Sequence, residues 1–150
     1  MICKIALPAA CFLAATSLFV SEMPVIAQTA AFGPENPFYA ASPLPFHAPP
    51  FDRIKDSDYQ PAIEAGMAEE EKEVGAIADK AEPATFENTF VAMEKTGQLL
   101  QRAQAALDCV AGANTNPTLQ KVEQELPPKQ AAHQDAIYLI MKLFALVQSF

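Results

Sequence analysis

The sequence predicts an all-α chain: antiparallel helices of a helical lobe, preceded by an extended arm rich in proline and aromatic residues. Three observations carry that expectation. Apolar residues recur at spacings of three and four from Tyr59 to Val147, which is the period of one helix face. Helix-start and helix-stop residues punctuate these stripes at Asp56, Thr85, Gly112 and Asn116. No run alternates apolar and polar residues as a half-buried strand would, and neither an internal repeat nor a glycine-rich phosphate loop occurs.

Residues 1–27 read as a signal peptide. Lys4 gives a positive start, and Ile5 to Val20 is apolar apart from Thr16 and Ser17, with Pro8 inside it. Val25-Ile26-Ala27 places small or branched residues where a signal peptidase reads. Cleavage is expected after Ala27, with Ala31 as the alternative. A membrane anchor is the competing reading, but a run of about sixteen residues falls short of the roughly 20 that a spanning helix needs. The mature chain is therefore expected in the periplasm or secreted, with no membrane contact after cleavage. Cys3 and Cys11 leave with the signal, so Cys109 stands alone and cannot close an internal disulfide. It is expected to be a buried structural cysteine. The balance of 10 Lys and Arg against 18 Asp and Glu gives a net charge of −8, which argues against nucleic acid or anionic lipid as a partner.

Residues 28–55 form the arm. Pro34, Pro37, Pro43, Pro45, Pro49 and Pro50 remove amide donors and keep their neighbours out of helical conformation. A disordered linker would be poor in aromatics. Phe32, Phe38, Tyr39, Phe46 and Phe51 instead suggest an arm pinned to the helical body by its rings.

Residues 56–150 form the helical lobe. Asp56 is expected to cap a first helix that stops near Lys80, before Pro83. Tyr59, Ile63, Met67, Val74 and Ile77 make its apolar stripe, and Glu70 breaks it. The run Glu69-Glu70-Glu71-Lys72-Glu73 reads as a solvated face rather than a cation site, because contiguous acids point all round the cylinder. Thr85 is expected to cap a second helix, with Asn88 as the reciprocal partner. Phe86, Phe90, Met93, Gly97, Leu100, Ala103, Leu107 and Val110 give it one long core-facing stripe. Asn116-Pro117 opens a third helix, a capping residue followed by a proline whose missing amide is harmless there. Leu119, Val122 and Leu126 are its inner face. Pro127-Pro128 is expected to break or kink it. A further helical stretch carries Ile137, Leu139, Leu143, Val147 and Phe150. So apolar a final segment is expected to need cover from more protein than the chain supplies, as in a C-terminally truncated lobe.

The chemistry-bearing residues are few. His47 and His133 are the only histidines, and no His-x-x-x-His pair sets two imidazoles on one helix face. A zinc site needs three or four ligands, so His133 is expected to be a surface or boundary residue. Neither a Gly-x-Ser-x-Gly elbow nor a Cys/His nucleophile pair occurs. No catalytic, cofactor-binding or metal-ligating residue is assigned.

The order of segments does carry a resemblance. Asn36 to Met67 runs from spaced prolines and aromatics into a capped helix. It is followed by Thr85-Phe86-Glu87-Asn88-Thr89, Thr115-Asn116-Pro117-Thr118-Leu119-Gln120, Ala131-Ala132-His133 and Lys142-Leu143-Phe144. Together these resemble the N-terminal part of the thimet oligopeptidase-like zinc metallopeptidases, specifically the bacterial peptidyl-dipeptidases. The resemblance implies a complete enzyme that is a two-lobed helical ellipsoid around a deep channel. Its distal half holds zinc by two histidines and a glutamate, and it releases C-terminal dipeptides from short peptides. The family's His-Glu-x-x-His motif is absent here, so this chain is expected to bind no zinc, to be inactive alone and to form a channel wall. Its partners would be short peptides and the remainder of the peptidase. Ile140-Met141 stands where the family has Asn-Pro. The competing reading is a non-enzymatic exported module that binds a peptide or protein through the apolar faces from Leu126 to Phe150.

If residues 1–27 are a cleaved signal, N-terminal sequencing of the exported product will begin at Gln28. An intact Met1 on membrane-bound material would instead identify an anchor.

Overall fold

The computed structural model describes residues 31–149. The proposed signal peptide, with Cys3 and Cys11, lies outside the described residues, as does Phe150. The described chain is all-α, with no strand among the described residues.

The arm is a succession of turns rather than an extended strand. Asn36 sets its path: its Oδ1 accepts from the Phe38 amide at 3.0 Å, and its Nδ2 donates to the Asp58 carbonyl at 3.0 Å. Phe38 is thereby buried against Tyr59, ring centroids 5.6 Å apart. Phe32 packs at the edge of the same core. The pinning is local, however. Phe46 is fully exposed at the tip of a 3-10 turn, Pro45–His47, and Tyr39 and Phe51 also face solvent.

Helix α1 (Asp56–Ala78) starts one residue differently from expectation. Lys55 occupies the capping position in extended conformation, and its amide donates to the Asp58 carboxylate at 2.8 Å. Asp56 lies inside the first turn and accepts from Asn116 Nδ2 at 2.8 Å. Pro61 sits buried in the second turn, where it forgoes the helical bond to the Ser57 carbonyl. The stripe expected from the sequence is buried: Tyr59, Ile63, Met67, Val74 and Ile77 all face inward.

The long second helix expected from Thr85 to Val110 is divided. Thr85 and Asn88 form the reciprocal cap, with Asn88 Oδ1 accepting from the Thr85 amide at 2.8 Å and Thr85 Oγ1 from the Asn88 amide at 3.1 Å. A π-helical turn, Glu87–Val91, then runs into one α-helical turn, α2 (Ala92–Glu94). The chain breaks at Gly97, which adopts φ +68. Its amide donates to Glu73 Oε2 at 2.8 Å, so α1 holds the break in place. Only glycine adopts this conformation without a steric penalty. Helix α3 (Gln98–Ala113) restarts beyond it and buries Leu99, Ala103, Ala106 and Leu107. Phe86 is exposed as a result and stacks on Phe90 instead, at 5.5 Å.

Helix α4 (Pro117–Tyr138) is capped as expected: Asn116 Oδ1 accepts from the amides of Thr118 at 2.9 Å and Leu119 at 3.0 Å. It does not stop at Pro127-Pro128. Both prolines lie on the exposed side, as do Glu123 and Gln124, whose carbonyls lose their helical donors. Water can take those carbonyls, while Val122, Leu126 and His133 stay buried along the inner side. Tertiary burial thus outweighs a local cost of about 3 kcal/mol per interior proline. Helix α5 (Met141–Gln148) follows after Leu139 and Ile140, with no side-chain cap at Ile140.

Helix α1 is the spine. Helices α3 and α4 each pack along it and scarcely on each other, and α5 packs near its C-terminal end. The main core joins Tyr59, Ile63, Ala103, Leu107, Leu119 and Leu126. Full burial of each large aliphatic side chain contributes roughly 1.5–3 kcal/mol. A second small cluster, Val74, Ala78 and Leu143, anchors α5.

Helices α1 and α3 approach tightly at Gly66. A Cβ there would lie 2.6 Å from the Leu100 amide nitrogen and 2.7 Å from its Cα. Gly66→Ala should therefore cost about 3 kcal/mol in urea unfolding, the upper end of overpacking costs. Gly75→Ala, where a Cβ meets nothing within 4 Å, should be neutral or stabilising by roughly 0.5–1 kcal/mol. Equal melts for the two variants would contradict this crossing.

Candidate functional site

The titratable residues gather where α1 and α4 meet. Two turns of α1 bring Glu64 and then Glu70 and Glu71 to this joint. On α4, Lys129 and His133 are four residues apart and so share a face. The Lys129 ammonium pairs with Glu64 Oε1. Gln60 Nε2 donates to the same Glu64 oxygen at 2.9 Å and lies 3.2 Å from Glu125 Oε2. Burial pushes the Glu64 carboxyl up, but the hydrogen bonds from Lys129 and Gln60 and the Lys129 charge outweigh it. The net effect lowers it below the ordinary glutamate value.

His133 departs from the sequence expectation. It is 6% exposed, not a surface residue. Its Nε2 lies 2.8 Å from Glu70 Oε2 and its Nδ1 3.1 Å from Glu71 Oε1. The acidic run of α1 is accordingly not a purely solvated face. Glu70 and Glu71 converge on one ring, and Glu73 holds Gly97. Glu70 breaks the apolar stripe because it points inward to an imidazole. The sequence carried a signal for this pairing, an acid on the buried stripe of α1 and a histidine on the buried stripe of α4, seven residues beyond Leu126.

This cluster does not fit zinc. Both ring nitrogens are directed at carboxylate oxygens, so neither faces an open position for a cation. Among the described residues no group of three His, Cys, Asp or Glu side chains is placed to hold a metal ion. His47 is on the far arm, exposed, its Nδ1 donating to the Ser42 carbonyl at 3.0 Å. Asp135 is exposed and joins no cluster. Cys109 also departs from expectation. It is exposed on the outer side of α3, between the inward Leu107 and the half-buried Val110, rather than buried.

Two further features have functional shape. One is an open groove of about 560 Å³ between α3 and α4, lined by Leu100, Ala105, His133 and four glutamines. The other is the outer surface of α5. Leu143 is buried and Leu146 half-buried, but Met141 is 75% exposed, Phe144 55%, and the preceding Tyr138 81%. Lys142 is the only charged residue of α5 and pairs with Asp79 at 2.5 Å. A helix apolar on nearly all sides is ordinarily buried on all sides. No helix among the described residues is long and apolar enough to cross a membrane.

The described residues form an all-helical module built on one spine helix. No protein-family model matches the chain. Two curated proteins do. It is 38% identical over 114 residues to a dipeptidyl carboxypeptidase of Salmonella typhimurium, and 37% identical over 114 residues to one of Escherichia coli K12. Each match covers 76% of this chain and 17% of the relative's length. The chain is thus related by sequence to the peptidyl-dipeptidase family, in agreement with the motif order.

The lowered Glu64 carboxyl gives a pH dependence. A folded-state value below the unfolded one contributes stability above the unfolded value and loses it as pH falls through the folded one. Stability should therefore decline on acidification from just above the ordinary glutamate range downward. In Glu64→Gln that decline should be shallower, as read by urea midpoints across acid pH. Parallel profiles for the two proteins would remove Glu64 from the acid response.

Proposed function

We propose that this chain is a helical wall segment of an exported zinc peptidyl-dipeptidase, an enzyme that releases dipeptides from the C-termini of short peptides. On this reading the segment lacks the zinc site and is inactive alone. The observation that carries the reading is the 37–38% identity to two dipeptidyl carboxypeptidases over 76% of the chain. The chain spans about one sixth of those relatives, so most of such an enzyme lies outside the matched stretch. The export component is supported by the pattern of residues 1–27.

The outer side of α5 supports the same reading. Tyr138 and Phe144 together expose an area on the order of 250–300 Å², given the 150–250 Å² such rings bury when fully covered. With Leu139, Met141 and Val147 the surface reaches the size that usually marks an interaction site. A larger peptidase body seated there would cover it. The same surface also favours the second reading, a non-enzymatic module that docks another protein through α5.

The test is complementation between two polypeptides. The E. coli relative is expressed without the stretch that matches this chain, and release of dipeptide from a blocked short peptide is followed. This chain alone, with added zinc, should release none. Added to the shortened relative, it should raise turnover at least about tenfold, equivalent to roughly 1.4 kcal/mol. Met141→Asp with Phe144→Asp should remove that gain. Chelator-sensitive turnover by the chain alone would overturn its assignment as inactive. Failure to associate with the shortened relative would leave the docking-module reading.

A further inference from the structure

We propose that a small pocket between the arm and α3 binds a short monocarboxylate with an apolar body, held by Arg102. The pocket measures about 190 Å³. Pro37, Phe38, Pro49 and Pro50 line it from the arm, and Arg102 and Ala105 from α3. Arg102 and Ala105 are three residues apart and so share a face of the helix. Phe38 is pinned in the core against Tyr59, and a proline ring fixes its own φ. The arm side of the pocket is therefore preformed.

The unmatched charge of Arg102 carries the inference. Its Nη2 donates to the Phe38 carbonyl at 3.2 Å, and that is its only hydrogen bond. The whole chain has 18 acidic side chains against 10 basic ones, yet Arg102 enters no ion pair among the described residues. Its Nε is shut off from solvent and has no acceptor, alone among the buried side-chain nitrogens and oxygens of the described residues. Buried donors nearly always have a partner, so an orphan one calls for an explanation. A half-buried cation that faces only a neutral carbonyl is costly to desolvate. A carboxylate in the pocket gives the guanidinium the acceptor that the fold withholds.

The lining selects the ligand. A planar guanidinium fork fits a carboxylate through two parallel bonds. Arg102 is the only lysine or arginine in the lining, and His47 is exposed, its Nδ1 engaged by the Ser42 carbonyl at 3.0 Å. One positive charge among apolar walls suits a monoanion and leaves the further charge of a phosphate unmatched. No carboxylate lines the pocket to receive an ammonium, which turns away amino acids and other zwitterions. The volume equals that of about six waters at roughly 30 Å³ each, which is the size of isovalerate. The pyrrolidine rings and the Ala105 methyl supply its apolar contacts. This goes beyond the peptidase reading and does not rest on it, since the ligand is not a peptide and no turnover is read.

The experiment is a titration of the isotopically labelled full chain with sodium isovalerate, replacing chloride at constant ionic strength. The Arg102 Nε–H and Ala105 amide resonances are followed. Saturable shifts of both are expected, with a Kd in the millimolar range. Isovaleramide, the neutral isostere, should bind at least about tenfold more weakly. Valine, which adds an ammonium to the same body, should do likewise. Arg102→Met keeps the stem and removes the charge, and should weaken binding at least about tenfold. Because it also removes the bond to Phe38, Ala105→Leu is the second variant. Ala105 is exposed, so this change fills the pocket and should leave the thermal melt at the parent value while binding falls at least about tenfold. The inference is overturned by an absence of saturable shifts, by equal binding of isovaleramide or valine, or by unchanged affinity in either folded variant. Isovalerate binding alongside failed complementation would sink the peptidase-wall reading alone, and the converse result would sink this one alone.

Discussion

The described fold is organised along α1, whose middle turns interleave apolar and acidic residues that meet α3 and α4. Ile63 and Met67 seal the core, and one turn later Glu70 turns to His133 on α4. Glu71 reaches the other nitrogen of the same ring, and Glu73 fixes the Gly97 amide before α3. Three neighbouring carboxylates thus set the position of α4 and the point at which α3 begins. Half-buried carboxylates in such a place require partners, because an unpaired one is costly to desolvate. The partners present are an imidazole and a backbone amide of the left-handed glycine.

That arrangement also explains the open groove. Helices α3 and α4 are each drawn to α1, by Leu99, Ala103 and Leu107 on one side and by Leu119, Val122 and Leu126 on the other. Between them an open groove remains, bridged where Gln130 Nε2 donates to Gln104 Oε1 at 2.7 Å. The same logic applied to α5 gives the opposite chemistry. It touches α1 through Leu143 and turns its remaining apolar side outward. Two chemically different surfaces therefore follow from one spine helix that holds each neighbour by one side only.

The reactive residues are in structural service. His133, the only buried histidine of the described chain, has its nitrogens occupied by carboxylates. Tyr59 is buried against Phe38. Burial, then the nearby Asp56 and Asp58 carboxylates and Cys109, pushes its phenol above the ordinary tyrosine value. The chain spans about one sixth of the length of the dipeptidyl carboxypeptidases it matches.

The all-α class, the caps at Thr85 and Asn116, the inward stripes of α1 and α4, and the family relationship were legible in the sequence. Each depends on spacing within a few residues, or on motif order along the chain. Three features were decided only in tertiary structure. Helix α4 runs through Pro127-Pro128 because both prolines fall on the solvent side, where water can serve the freed carbonyls. The long second helix divides at Gly97 because Glu73, twenty-four residues earlier, takes its amide. His133 is buried because two acids from α1 come to meet it, over sixty residues away in the chain. Local propensity determines which segments become helices. The partner that compensates a broken helical bond or a desolvated charge is remote in sequence, so only the packed chain determines where those costs are tolerated.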